Sequence, residues 1–243
     1  MTRTSQTFNQ EEADPPINFL SSKNVLRIGA WNVRTMYETG RSAQVAREMD
    51  RYRLAILGLS EVRWVSSGQM TLISGHHLLY SGPPEEEGVH RNGVGIMLTK
   101  EARKSLIEWE PVNERILTAR FHSKFQKISI VQCYAPTNVA DDETKEEFYQ
   151  QLQATLDKLH RRDIVIVMGD MNAKVGNDNG GREHVMGKEG LGTINENGEL
   201  FASFCELNDL VIAGTVFPHR RINKVTWRSP DMITENQIDH ITI

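Results

Sequence analysis

Short, almost wholly apolar runs recur along this chain, and four of them pass straight into oxygen-bearing polar residues. Residues 25–31 deliver Asn32, and 54–59 deliver Ser60-Glu61. Residues 128–133 deliver Tyr134 and then Ala135-Pro136-Thr137, and 164–168 deliver Gly169-Asp170-Met171-Asn172. Runs this short and this apolar are strands with both faces covered. Further strands are expected over 72–80, 93–99 and 116–121, with the third run extending through 134. Between them lie helical patterns. Residues 42–52 place Val45, Met49 and Tyr52 on one face, and 141–160 repeat Phe148, Leu152, Leu156 and Leu159 at helical spacing. A further helix over 196–207 is expected to bury Leu200, Phe204 and Leu207, after a glycine-rich irregular stretch at 176–192. The end is β again, at 211–212, 224–227 and 237–243. Many short strands with interleaved helices give an α/β fold of two packed β-sheets flanked by helices. Periodicity alone also allows a doubly wound sheet, although the many hairpin-length connections favour two sheets.

The length of 243 residues suits one domain over 25–243, preceded by a leader at 1–24. That leader is polar, carries Pro15-Pro16 and shows no periodicity, so it is expected to be disordered. A net charge of −4 neither announces nor excludes a nucleic-acid partner, because local patches outweigh the total. The two cysteines, Cys133 and Cys205, sit apart in apolar segments, which argues against a disulfide framework or a cysteine-based zinc site. Neither a secretory signal nor an apolar run of about 18 residues is present, so an intracellular chain, nuclear or cytoplasmic, is expected.

The strand-end residues are hard-oxygen chemistry. Two carboxylates, two amides and a phenol suit Mg²⁺ or Mn²⁺ better than zinc, and ligands of α/β sheets gather at such strand ends. Each residue also has a plain structural reading. Strand-terminal Asn and Asp are common in turns, Glu61 can pair with nearby Arg63, and Tyr134 can be an amphipathic core aromatic. The coincidence of four strand ends is what favours a site.

The order and wording of these segments resemble the exonuclease–endonuclease–phosphatase superfamily, over nearly the whole chain from residue 25 onward. The matching segments are Trp31-Asn32-Val33, Ser60-Glu61-Val62-Arg63-Trp64, Tyr134-Ala135-Pro136-Thr137, Gly169-Asp170-Met171-Asn172-Ala173, and Thr226-Trp227 with Gln237-Ile238-Asp239. Arg34-Thr35 and the Glu-Val-Arg-Trp wording look like endonuclease domains of non-LTR retrotransposons. The resemblance implies a four-layer α/β sandwich of the DNase I type and a metal-dependent DNA endonuclease that leaves a nick with a 3′-hydroxyl. Glu61 would hold the metal and Asn32 would help arrange it. Asp170 would activate the attacking water, Asn172 would orient Asp170 and contact phosphate, and Tyr134 would contact the scissile phosphate. Asp239 would support a catalytic histidine.

The family closes with a Ser-Asp-His motif, and Asp239-His240 is not read as that motif. Its place shortly after Thr226-Trp227, and the strand-like Ile241-Thr242-Ile243 that follows, match the family's earlier Ile-Asp-aromatic segment. His240 then takes the aromatic position, and the chain is expected to end before the catalytic histidine and the last strand, with weak activity on its own. Other candidates fail on context. Gly187-Lys188 is followed by Glu189 and so is no P-loop, His76 and His77 point to opposite faces of a strand, and Glu183-His184 lacks a helical HExxH setting. Arg220, Arg221 and Lys224 read either as a solvated hairpin or as a basic loop holding a DNA backbone. Two other functions stay open: a phosphatase or phosphodiesterase acting on inositol phosphates, lipids or RNA tails, and a domesticated binding or scaffolding protein. Base preference and oligomeric state are not legible.

Overall fold

A computed structural model describes residues 26–87 and 90–243. The leader expected at 1–24 lies outside the described residues. The first sheet contains β1 (Ile28–Asn32), β2 (Ile56–Ser60), β3 (Ser67–Thr71), β4 (His77–Ser81) and β5 (Val94–Leu98), in the order β1-β2-β5-β4-β3. The second contains β6 (Leu106–Asn113), β7 (Ile116–Phe121), β8 (Ile128–Tyr134), β9 (Ile164–Asp170) and β12 (Asp239–Thr242), in the order β12-β9-β8-β7-β6. A short hairpin, β10 (Trp227–Arg228) and β11 (Glu235–Asn236), precedes the last strand.

Each sheet is mixed, and each parallel pair is joined by a helical crossover. Helix α1 (Arg41–Arg51) connects β1 to its parallel partner β2, and α3 (Asp142–Leu156) connects β8 to β9. The sheets pack face to face through Ile56, Ile96 and Leu98 on one side and Leu117, Phe121, Ile130 and Met168 on the other. Val45, Ala46 and Met49 of α1 cover the outer face of the first sheet against Leu57, Leu59 and Met97. The outer face of the second is covered by Phe148 and Leu152 of α3, with Phe201 and Phe204 of α4 (Glu196–Leu207). The result is four layers, helix–sheet–sheet–helix. Short helices α2 (Lys100–Lys104) and α5 (Arg221–Lys224) sit in connections. Among the described residues no helix is long and apolar enough to cross a membrane.

One polar bridge crosses the dry interface directly beneath the strand ends. The buried Gln132 side chain donates to the carbonyls of Leu59 and Cys133 and to the Ser60 hydroxyl, at 3.1–3.2 Å. Gly58 makes room for it, since a Cβ there would lie 1.8 Å from Gln132 Oε1. The two sheets are therefore held in register at the level of Ser60 and Asp170.

The structure corrects several sequence expectations. The strand expected over 72–80 begins only at His77; residues 72–76 form a turn in which Gly75 takes a φ of +85°. The turn joins β4 to the polar edge strand β3, which carries no apolar signal. Helix α4 buries Phe201, Ala202, Phe204 and Cys205, whereas Leu200 and Leu207 are 38% and 75% exposed. Tyr52, expected on the buried face of α1, caps its C-terminus and is exposed. The strand expected over 224–227 is the end of α5 followed by β10, and 211–212 contribute isolated bridges through Ile212.

Candidate active site

The four strand ends singled out in the sequence meet at one edge of the two-sheet sandwich. Asn32 and Ser60 end neighbouring parallel strands, as do Tyr134 and Asp170, and Asp239 faces Asp170 across β12 and β9. The Asn32 amide is the hub. Its Nδ2 donates to Glu61 Oε1 at 2.7 Å and to Asp170 Oδ2 at 2.8 Å. The other Asp170 oxygen accepts the backbone N–H of Asn172 at 2.9 Å. Asn172 donates through its side chain to the Ala135 carbonyl at 2.9 Å, which anchors the turn after β9 to the turn after β8.

Two of these residues stand in left-handed backbone: Glu61 at φ 57° and Asn172 at φ 47°. Asn tolerates that region, but a glutamate there is uncommon and costs stability. Burial of Val62 and the 2.9 Å bond from its N–H to the Gly93 carbonyl hold the Glu61 turn in place.

Burial and like charge act together on the carboxylates. Asp170 is only 3% exposed, and desolvation drives its pKa upward against the hydrogen bonds from Asn32 and Asn172. Asp239 is pushed up further, first by burial and then by the charge of Asp170, with the Thr226 hydroxyl opposing. Asp239 Oδ1 is buried and has no hydrogen-bond partner among the described residues. Burial, and after it the charges of Glu61 and Asp170, keep the Tyr134 phenol neutral. Arg115 was not read from the sequence, where nothing marks it. It donates to the Tyr134 carbonyl at 3.1 Å and lies over the Tyr134 ring, 5.3 Å from its centroid.

Like charges held close together and largely buried predict a specific gain when one is removed. Because the folded-state pKa of Asp239 is raised, ionisation costs stability progressively as pH rises through it. Asp239→Asn should therefore raise Tm at neutral pH, by about 2–4 °C for each kcal/mol relieved in a chain of this size. A thermal melt of both proteins checks this, and an unchanged or lower Tm would refute it.

His240 does not join the cluster. It is buried, its Nε2 bonds the Ala173 carbonyl at 2.8 Å, its ring packs 5.2 Å from that of Phe201, and burial lowers its pKa to about 4. It fills a core position. His77 bonds Gln69 and Thr71 while His76 pairs with Asp50, so those two are also structural. Cys133 and Cys205 are buried free thiols. Of the three basic candidates, Arg221 pairs with Glu235 at 2.9 Å and Lys224 with Glu189 at 2.7 Å, while Arg220 is exposed just before α5. This segment leads into Thr226, whose Oγ1 accepts the backbone N–H groups of Ile238 and Asp239.

The donor set fits a hard divalent cation. It is all oxygen, its carboxylates are desolvated and mutually repelling, and one buried carboxylate oxygen is unpartnered. Among the described residues no group of three or more acidic, His or Cys side chains forms a preassembled cage. Glu61 Oε2 is held at 2.7 Å by Arg63, whose side chain is 45% exposed.

Two facing mixed sheets with an oxygen-rich cluster at their strand ends define a nuclease- or phosphatase-type fold. The chain belongs to the Endonuclease/Exonuclease/phosphatase family, whose model matches residues 29–241. It is 35% identical over 239 residues to craniofacial development protein 2 of Tragulus javanicus, covering 95% of this chain and 40% of that relative. This chain thus spans about two fifths of that protein's length. The endonuclease domain of TRAS1, a telomere-specific non-LTR retrotransposon, superposes with a TM-score of 0.59 at 14% identity, over 89% of this chain and 83% of that one. The 3′ phosphatase NExo from Neisseria, bound to product DNA hairpin, gives 0.63 at 19% identity, over 90% and 86%. The likenesses to solved structures establish the shared fold.

Proposed function

We propose that this chain carries a Mg²⁺-dependent phosphodiesterase centre that nicks DNA, of the kind found in retrotransposon endonuclease domains. The observation that carries the reading is the Asn32 amide, which ties Glu61 and Asp170 into one polar cluster. Asp170 is the general base. Burial raises its basicity, and the Asn172 N–H and the Asn32 amide fix its two oxygens towards an attacking water. The water oxygen bonds to phosphorus as its proton passes to Asp170, the bond from phosphorus to the 3′-oxygen breaks, and that oxygen takes up a proton from bulk water. The products are a 5′-phosphate and a 3′-hydroxyl. Tyr134, kept neutral by burial and the nearby carboxylates, presents a phenol to the phosphate, and Asn172 offers its amide. A divalent ion held by Glu61, with Asn32 arranging that carboxylate, would neutralise charge on the phosphate. Asp239 is placed to orient a histidine or another donor through its unpartnered oxygen.

Arg220, Arg221 and Lys224 are proposed to hold the DNA backbone, their acidic partners exchanging for phosphates. Alanine at all three should weaken duplex binding equally across sequences and reduce the salt slope by about 2–3, at roughly 0.9 per phosphate contact. An unchanged slope in a salt titration would leave them as a structural hairpin.

Relaxation of supercoiled plasmid with Mg²⁺, set beside phosphate release from inositol phosphates, tests the function. Weak nicking without phosphate release is expected. The reverse result would make the centre a phosphatase. Loss of both would favour a binding protein.

A further inference from the structure

A second charged surface lies at the pole opposite the strand-end cluster. The connection from β7 to β8, residues 122–127, and that from α3 to β9, residues 157–163, come together there. The Ile164 N–H donates to the Lys127 carbonyl at 2.9 Å, and Gln126 Nε2 to the Arg162 carbonyl at 3.4 Å. Because β8 and β9 run parallel, Ile128 pairs with Ile164 at this end and Tyr134 with Asp170 at the other. Seven residues separate the ends, roughly 20 Å of strand, so this surface is distinct from the active site.

The two connections carry Lys124, Lys127, Lys158, Arg161 and Arg162, all exposed, in a chain whose net charge is −4. Among the described residues none of the five forms an ion pair. Of the two acids in these connections, Asp163 is taken up by Arg120 at 2.6 Å and by Ser129 at 2.8 Å, and Asp157 accepts from the Gln153 amide at 3.0 Å. Uncompensated cations brought together from two separate segments create a local positive field that the chain's overall charge conceals. Within this field Phe125 is 78% exposed, with Lys124 Nζ 5.2 Å from its ring centroid. The ring borders an open groove of about 640 Å³ that Lys127, Arg161 and Arg162 also line.

We propose that this pole binds single-stranded nucleic acid, with backbone phosphates on Lys124, Lys127, Arg161 and Arg162 and one base stacked on Phe125. Phosphate contacts explain the cations, and the exposed ring explains the preference for a single strand. An unpaired base has a free π-face, whereas bases within a duplex are already stacked. An acidic protein segment would be served by the charges alone, and an anionic membrane would be met by a broader apolar surface than one ring.

The test uses the whole chain in EDTA, so that no strand is cut, and a fluorescein-labelled oligothymidine read by anisotropy across a salt series. K124A/K127A/R161A/R162A should weaken binding about ten-fold or more and reduce the salt slope by about 3, at roughly 0.7 per contact on a single strand. Phe125→Ala should weaken binding about five-fold or more with the slope unchanged, because stacking releases no counterions. Among the described residues the four cations form no ion pair and no side-chain hydrogen bond, and unchanged melting temperatures in the variants separate loss of binding from loss of structure. Unchanged affinity in the fourfold variant would overturn the proposal. It would also be overturned if Phe125→Ala had no effect while the fourfold variant lost heparin or phosphatidylserine vesicles as fully as the oligonucleotide.

Discussion

Asp170→Asn should lower the rate of plasmid nicking by about 10²–10⁴-fold, the usual worth of a positioned general base. The substitution keeps the side chain's size and one acceptor oxygen, so only one of the two bonds, from Asn32 or from the Asn172 N–H, keeps its partner, a loss opposed by relief of the buried charge. What it removes is the group that takes the proton from water. The fold should not suffer. The wild-type carboxylate is desolvated and lies beside Glu61 and Asp239, so the neutral amide should melt at the same temperature or higher. A rate loss with retained Tm separates catalysis from stability. Unchanged nicking would remove Asp170 from the role of base, and a rate loss with collapse of the melt would make it structural.

Gly169→Ala should have the largest effect on stability. Gly169 has a φ of +140°, and a Cβ built there would lie 2.0 Å from the Cys133 carbonyl oxygen on the neighbouring strand. The obstructing atom is backbone in the middle of a sheet, with no rotamer to change. Left-handed strain of about 1–3 kcal/mol and overpacking of a similar size act together, so a loss of roughly 3 kcal/mol or more is expected. At about 2–4 °C per kcal/mol, Tm should fall by roughly 6–12 °C. Gly180→Ala is the contrasting control, because its nearest neighbour is Asp178 Oδ1 at 3.4 Å, and it should be close to neutral. Equal melts for the two variants would refute the steric account. Gly169 directly precedes Asp170, so the same strain that makes the glycine necessary sets where the base emerges.

Of the strands that shape the site, β2, β8 and β9 were legible because both their faces are largely buried. β7 and β8 fall where the apolar runs placed them, and β9 runs two residues beyond its run, to Asp170 itself. The edge strands β3 and β6 were not legible. β3 is polar and almost wholly exposed, and β6 carries Glu108, Glu110 and Pro111, so neither shows the pattern that marks a covered strand. Helix α4 was found at its full length, yet its buried face was misplaced, because Phe201, Ala202 and Cys205 pack inward in preference to Leu200 and Leu207. At the site, strand ends were enough to nominate Asn32, Glu61, Tyr134, Asp170 and Asn172. The bridging role of the Asn32 amide depends on two long-range contacts, across 29 and 138 residues, that no local pattern encodes. Arg115 was missed for the same reason, since it meets Tyr134 only through the pairing of β7 with β8. The basic pole is split between two connections that look unremarkable until the parallel strands place them side by side.

Titration of Mn²⁺ into the chain, followed by its electron paramagnetic resonance signal in wild type and in Glu61→Gln, addresses the proposed centre most directly. One ion per chain is expected in the wild type. In Glu61→Gln binding should be weakened about ten-fold or more, since losing a ligand should cost at least as much as losing a group that orients one. Tm should rise with Mn²⁺ only in the wild type. Equal binding by the two proteins, or no specific ion in either, would contradict a cation-bearing phosphodiesterase centre built on Asn32, Glu61, Asp170 and Asp239.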